Sequence, residues 1–365
     1  MPIAGSFRGQ SSVLKEQLSD KKRKPKCILL FSGGLDSSLA ASILKNLGIE
    51  VIGVHFLNNF GSYRKRFLLE NSSEDNHIKR LKELASILKI ELRIIDISKE
   101  FTDILLNPKF GYGANANPCI DCKIFMLKKG KQIMEEADAD FVATGEVLGQ
   151  RPMSQRLDAM NIIERESGLK GRLLRPLCAK ILKETDVERV GIVEREKLLN
   201  ITGRGRKEQI SLAKEIGIET LVPPVSDCCL LTDPKYSERV MDQIKHSQEK
   251  PEAEEFDLLM LGRHFRISEE LKLIVGRNLS ENNALEKFQK NKFRFETLSA
   301  KGPVGIAEGI ISNEKELILC ASIVFRYSDA KKIGEGEVMI TKNGNYRKVV
   351  KVRPLKDNEI VRLRI

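Results

Sequence analysis

Two short stretches hold residues whose types and spacing could do chemistry. The first is SGGLDSS, Ser32 to Ser38. Gly33 and Gly34 let the backbone bend and come close to a ligand. Successive amides at a helix start form an anion cradle, and Ser32, Ser37 and Ser38 add hydroxyls. Asp36 is the odd member, because a carboxylate beside phosphates makes sense only if it holds Mg²⁺ or a bound nucleotide group. Neither the lysine-containing loop GxxxxGK[ST] nor GxGxxG occurs at this turn. The plain alternative is a helix cap after a tight turn.

The second stretch is NPCIDCK, with two residues between Cys119 and Cys122 at an expected helix start. The helix dipole and Lys123 favour thiolate there. A lone CxxC can be redox-active, zinc-binding or accidental. With no second CxxC, a four-cysteine zinc site is disfavoured. Further on, PPVSDCCLLTDP offers Cys228 and Cys229 in a loop. Two schemes follow. Cys119, Cys122 and either Cys228 or Cys229 could hold three irons of a 4Fe-4S cluster and leave the fourth open. Alternatively, Cys119 carries a persulfide that Cys228 or Cys229 resolves as a disulfide. The pair plus one distant cysteine leaves a natural vacancy, which favours the cluster. Cys27 and Cys320 sit in apolar runs that suit strands and read as buried small hydrophobes. Cys178, in LLRPLCAK, has no clear part.

Elements must position these groups. The 365 residues are enough for two or three domains. Leu39, Ile43 and Leu47 give a first helix its apolar stripe after the strand CILLF, and VIGVHFL follows as a buried strand. A helix from Asn76, a strand LRIIDI and a helix–strand pair ending in DFVATGE continue the alternation. This predicts an α/β fold with a parallel sheet covered on both faces. Ligands then sit beyond the carboxyl ends of the strands, where SGGLDSS lies. Residues 1–24 read as a basic, flexible arm and 25–247 as the α/β domain. A charged, proline-bearing stretch from Gln248 marks the boundary. Residues 252–365, with LKLIVGRN, KFRFETL, LILCASIVFRYS, GEVMI and YRKVVKVRPL as strands, read as a smaller β-rich or α+β domain.

SGGLDSS resembles the pyrophosphate loop of the N-type ATP pyrophosphatase (PP-loop) superfamily, whose members activate a carbonyl oxygen as its adenylate. The resemblance implies that Ser32, Gly33, Gly34, Asp36, Ser37 and Ser38 hold ATP phosphates and Mg²⁺. It also places Val54, His55 and Phe56 near the adenine and Gly145 at the nucleotide. NPCIDCK and CLLTDPKYSERV, added to that loop, resemble the tRNA thiouridine synthase family, in which the cysteine after Asn-Pro is catalytic; here that is Cys119. Relatives have histidine where this chain has Glu146. The implied activity is ATP-dependent tRNA thiolation, to 4-thiouridine or 2-thiouridine, with Asp36, Cys119, and Cys228 or Cys229 as the working residues. Lys180 and Lys183 are possible helpers. The sulfur donor would be free sulfide or a sulfur-carrier protein.

The net charge of +11 fits a polyanionic partner. Candidate RNA contacts are Arg64, Lys65 and Arg66; Arg151 and Arg156, with Ser154 and Gln155; Arg204, Arg206 and Lys207; and Arg347, Lys348, Lys351, Arg353 and Lys356. LKLIVGRNLSENNALEKF resembles an RNA-binding module of ribosome-quality-control proteins; a lid or a homodimer surface are the other uses for that domain. The seven cysteines, without a secretory signal or a membrane-length apolar run, point to a reducing, cytoplasmic setting. Adenylation with ammonia as nucleophile, action on a small molecule, and a non-catalytic RNA-binding role are the rival readings.

Overall fold

The computed structural model describes residues 23–70, 76–220, 222, 229–332 and 334–365. Most of the expected N-terminal arm and Cys228 lie outside them. The chain divides into two compact units: residues 1–58, 74–113 and 118–228, and residues 59–73, 114–117 and 229–365.

In the first unit, β1 (Lys26–Leu30) leads through the glycine turn into α1 (Leu35–Asn46) and then β2 (Glu50–Leu57). The next helix in sequence, α2 (Ser62–Leu69), belongs to the second unit. The first unit resumes with α3 (Asn76–Ile87), β3 (Glu91–Asp96), α4 (Ser98–Leu106), α5 (Cys119–Glu136), β4 (Phe141–Thr144), α6 (Leu157–Ser167), β5 (Leu173–Leu174), α7 (Asp186–Arg189) and α8 (Lys207–Glu215). The strand order is β3-β2-β1-β4-β5, and all pairs are parallel. The order reverses beside β1, which makes the carboxyl ends of β1 and β4 the switch point where such sheets bind ligands. Leu30 lies level with Val54 on one side and Thr144 on the other. The turns after β1, β2 and β4 therefore leave the sheet at one edge. Cys27, Ile28 and Leu29 are fully buried, as a central parallel strand requires. The expected alternation of strands and helices holds from β1 to β4, with two helices, α4 and α5, between β3 and β4.

The second unit adds α9 (Pro234–His246), α10 (Glu255–Leu258), β6 (Arg263–Ser268), β7 (Leu271–Val275), α11 (Leu279–Glu286), β8 (Phe293–Thr297), β9 (Val304–Gly309), α12 (Glu314–Arg326), β10 (Gly336–Lys342), β11 (Tyr346–Val352) and α13 (Asp357–Leu363). Its six strands form an antiparallel sheet, β11-β10-β8-β9-β7-β6. Pro234 opens α9 at its first turn, and Asp233 caps it by accepting from the Tyr236 amide at 2.8 Å.

One expected strand is a helix. LILCASIVFRYS lies largely in α12, with Asn313 accepting from the Glu316 amide at 3.0 Å. Leu317, Cys320, Ala321 and Val324 are buried with helical spacing. The β-branched residues favour a strand locally, but the cap and the 3.6-residue period prevail. The unit is therefore α+β, and Cys320 is buried on a helix rather than on a strand. No helix among the described residues is long and apolar enough to cross a membrane.

Candidate functional site

The glycine turn is fixed by its own residues. Gly33 has φ +68°, and a Cβ there would lie 2.3 Å from Leu81, so both the backbone and the space call for glycine. α1 starts at Gly34 with no side-chain cap, which leaves its first amides for an anion. The hydroxyls do different work from the one expected. Ser37 and Ser38 donate to the Gly34 carbonyl at 3.0 and 2.9 Å. Ser32 and Ser37 pair at 3.1 Å, and Ser32 accepts from the Gly34 amide at 3.3 Å. The serines thus shape the turn, and the helix amides face the ligand position.

Asp36 lies in a polar nest. Gln150 donates to its Oδ2 at 2.9 Å, while Oδ1 is buried without a hydrogen-bond partner. Burial pushes its carboxyl above the ordinary value, and Gln150, Arg206, Arg151 and Gln209 offset only part of that. The buried Gln209 amide leaves both of its polar atoms unpaired. A buried carboxylate oxygen with nothing to accept from fits a magnesium ion.

A chain of side chains braces the turn from below. His55 donates from Nδ1 to the Phe31 carbonyl at 2.9 Å. Its Nε2 meets His77 Nε2 at 3.2 Å, and His77 Nδ1 meets Arg80 Nη2 at 3.4 Å. Arg80 Nη1 donates to the Gly33 carbonyl at 2.9 Å. Since a carbonyl only accepts, donation runs from Arg80 through neutral His77 and His55 to Phe31. Val54 is core, and Phe56 is nearly buried. His77, Arg80, Gln150 and Gln209 carry no local signal in the sequence; Arg151, beside Gln150, is the nearest one.

The cysteine pair opens α5. Asp121 accepts from the Lys109 and Phe110 amides at 2.9 and 3.0 Å, and the Cys122 amide donates to the Pro118 carbonyl at 2.9 Å. Cys119 and Cys122 are three apart on the first turn, on one face. Burial pushes the Cys122 thiol up to about 12, and Lys123 lowers it only in part. The expected thiolate is therefore not favoured at Cys122, and the Lys123 ammonium also lies 3.7 Å from Glu146.

Glu146 ties the two helix starts together. It is buried and accepts from Arg175 Nε at 3.2 Å and Thr144 Oγ1 at 3.1 Å. Burial pushes its carboxyl up, but Lys123, Arg175 and Thr144 outweigh that and hold it below the ordinary value. Its neighbour Gly145 packs on the start of α1, where a Cβ would lie 2.5 Å from the Asp36 and Ser37 backbone. From Lys123 to Glu146, and through Gly145 to Asp36, the cysteine turn and the glycine turn meet at one sheet edge. Gly145 thus closes the packing behind the loop.

The remaining candidates are scattered. Cys178 is buried, donates to the Glu146 carbonyl at 3.3 Å, and is pushed up to about 11 by burial. Cys27 is buried in β1. Lys180 donates to the Glu196 carbonyl at 2.7 Å, and Lys183 is exposed. Ser154 and Gln155 are buried, Arg156 pairs with Asp158 at 2.9 Å, and Arg151, Arg204 and Lys207 are exposed. In the second unit, Cys229 bridges to Gly61, and Arg64 grips the buried Asp257 at 2.6 Å, while Lys65 is half-buried and Arg66 exposed. Arg347 and Lys356 are exposed on the same unit. Among the described residues no group of three or more His, Cys, Asp or Glu could hold a metal ion. The described thiols do not by themselves complete a three-thiolate set.

Residues 23–191 match the family model of the thiamine biosynthesis protein ThiI. This part of the chain, a little under half of it, is similar to that family. Residues 262–364 match the model of the NFACT protein RNA binding domain. The tRNA-specific 2-thiouridylase MnmA 2 of Clostridium botulinum is 33% identical over 121 residues, 32% of this chain and 33% of that protein. The tRNA-specific 2-thiouridylase MnmA of Campylobacter jejuni is 34% identical over 125 residues, 33% of this chain and 34% of that one. The chain spans about a third of the length of the curated relatives it matches. A solved 4-thiouridine synthetase–RNA complex with bound ATP overlaps 65% of this chain and 53% of its own, at 21% identity and a TM-score of 0.40. The glycine turn, Cys119, Cys122 and Glu146 all fall within the residues that match this model.

Proposed function

We propose that the protein is an ATP-dependent tRNA sulfurtransferase that replaces a uridine carbonyl oxygen with sulfur. The observation that carries this reading is the joining of a phosphate-ready helix start to a CxxC helix start through Glu146 and Gly145. The α1 amides would take the ATP phosphates, and Asp36 Oδ1 would take Mg²⁺, which supplies charge neutralisation at the departing pyrophosphate. The uridine oxygen attacks the α-phosphorus and pyrophosphate leaves. Sulfur then attacks the activated carbon, and AMP leaves with the oxygen.

In the persulfide route the terminal sulfur of Cys119 forms the new C–S bond. A second thiol, Cys228 or Cys229, attacks Cys119 Sγ, the S–S bond breaks, and a disulfide forms that a thiol reductant must reset. A 4Fe-4S cluster on Cys119, Cys122 and one of Cys228 or Cys229 stays within the proposal as the non-redox route. It would hold sulfide on an open iron. Free sulfide is the donor in the cluster route. A sulfur-carrier protein bearing a persulfide is the donor in the persulfide route, since sulfide alone cannot form the S–S bond without an oxidant. The setting is cytoplasmic. Residues 25–247 would carry the chemistry, and 252–365 would hold tRNA.

The family description, a thiamine biosynthesis protein, favours a second reading in which sulfur goes to a small acceptor. The RNA binding domain match favours tRNA. The deciding experiment purifies the protein without oxygen, records its visible spectrum, and assays unmodified tRNA with ATP and sulfide. Thionucleoside in digested tRNA, dependent on ATP, is the expected result. ATP turnover without any thionucleoside would overturn it. With a persulfide donor supplied in place of sulfide, an active, colourless protein would select the persulfide route.

A further inference from the structure

The second unit contains an open pocket of about 440 Å³, walled by the end of α11, the turn before β8 and the β10–β11 turn. Lys287, Lys290, Lys292, Arg294 and Lys342 line it, with Glu286 as the carboxylate. Their partners sort these cations. Arg294 is held by Glu286 at 3.1 Å and Glu296 at 2.6 Å, and Lys292 leans toward Glu308 at 3.8 Å. Lys287, Lys290 and Lys342 make no ion pair with any described residue. Lys342 lies 4.6 Å over the Phe293 ring, which meets the exposed Tyr346 edge-on at 5.4 Å.

The β11 edge is the contrast. Lys348 pairs with Glu314 at 2.6 Å, Lys351 with Glu335 at 2.6 Å, and Arg353 with Glu335 at 3.9 Å. Those charges are largely answered within the fold. The sequence points to RNA there because the basic residues are dense, but density is not free charge.

The pocket is also built rather than accidental. Asn291 and Asn343 both have positive φ, +61° and +50°. Each bonds the other turn: the Asn291 amide donates to Asn343 Oδ1 at 2.8 Å, and Asn343 Nδ2 donates to Asn291 Oδ1 at 3.0 Å. This clamp fixes the two turns that carry the lysines. Unanswered cations fixed around a concavity, with an aromatic pair at its rim, suit phosphates with a sugar or base alongside.

We propose that this pocket, and not the β11 edge, binds the phosphodiester backbone of RNA and is where the second unit grips tRNA. The proposal rests on tRNA being the partner proposed above. The competing account is that Lys287 and Lys290 merely answer the carboxyl-end dipole of α11.

The test uses the full chain and a fluorescein-labelled, unmodified tRNA transcript, with anisotropy read at several KCl concentrations. K287Q/K290Q/K342Q should weaken binding about tenfold or more near 0.15 M salt. The log–log salt slope should fall by about 0.7–0.9 for each phosphate that is no longer neutralised. K348Q/K351Q/R353Q should weaken binding far less. Asn343→Gly, which opens the clamp without removing charge, should cost affinity at an unchanged slope. Matching melting temperatures establish that the variants fold. Wild-type affinity and slope in the lysine triple would overturn the pocket, while thiolation by the unaltered protein would still stand. A protein that binds tRNA through these lysines but never thiolates it would leave the pocket and remove the sulfurtransferase.

Discussion

α1 and α5 both begin at the carboxyl edge of the parallel sheet, yet their starts are prepared in different ways. At α1 the turn is rigid and its ligand face open: the serines and Arg80 close the backbone behind it, and Asp36 keeps one oxygen unpaired. At α5 the backbone is equally pinned, by Asp121, but burial holds the Cys122 thiol in its neutral form. The glycine turn leaves its helix amides without a side-chain cap, whereas Cys122 needs a partner before its thiolate forms. Burial opposes the anion at both, so each start is completed by what binds there.

The largest effects should come from separating the two starts. Asp36→Asn should lower both tRNA-dependent ATP–pyrophosphate exchange and thiolation by about 10³-fold, roughly 4 kcal/mol of transition-state stabilisation. Cys119→Ala should abolish thiolation yet still exchange pyrophosphate. Equal loss of exchange in the two variants would mean that the starts act as one unit, and the contrast would fail.

A second effect tests their connection. Glu146→Gln would leave half-buried Lys123 without its carboxylate and buried Arg175 with Glu164 alone, 3.1 Å away, costing up to about 3 kcal/mol of stability. Glu166, on an exposed pair with Lys109, serves as the comparison, and its Gln variant should shift the urea midpoint far less. The sign with pH follows from the lowered Glu146 carboxyl. Its contribution is present above the unfolded value, about 4.3, and is lost as pH falls through the folded one. Urea midpoints measured from pH 7 downward should show wild type losing more than the variant. Parallel curves would show that Glu146 does not couple the two turns.

How much of this was legible depended on range. The strand–SGGLDSS–helix unit and the CxxC helix start could be read because period, glycine and spacing are local. The work of Gly145, Arg80 and Gln150 could not, since it is to meet residues far along the chain: the Asp36 backbone, the Gly33 carbonyl and the Asp36 carboxylate. The α12 segment reads as a strand because Ile and Val outweigh the Asn313 cap in a short window. On β11 the charges were visible, but the carboxylates that answer them, Glu314 and Glu335, belong to other segments.

The smallest effect would sharpen the contrast most finely. Among the described residues, Arg80 reaches the glycine turn through the Gly33 carbonyl and, by way of His77 and His55, the Phe31 carbonyl. It therefore fixes both flanks of Ser32 without reaching the reacting atoms. Arg80→Ala should remove about 1 kcal/mol of turn rigidity, a change of about fivefold in the KM for ATP with kcat nearly unchanged. Arg80→Lys, with a point charge instead of a fork, cannot serve His77 and Gly33 together, so its KM should fall between. A loss confined to kcat would instead mean that the brace acts as pyrophosphate departs. The α1 start would then, like the α5 start, be completed only during the reaction.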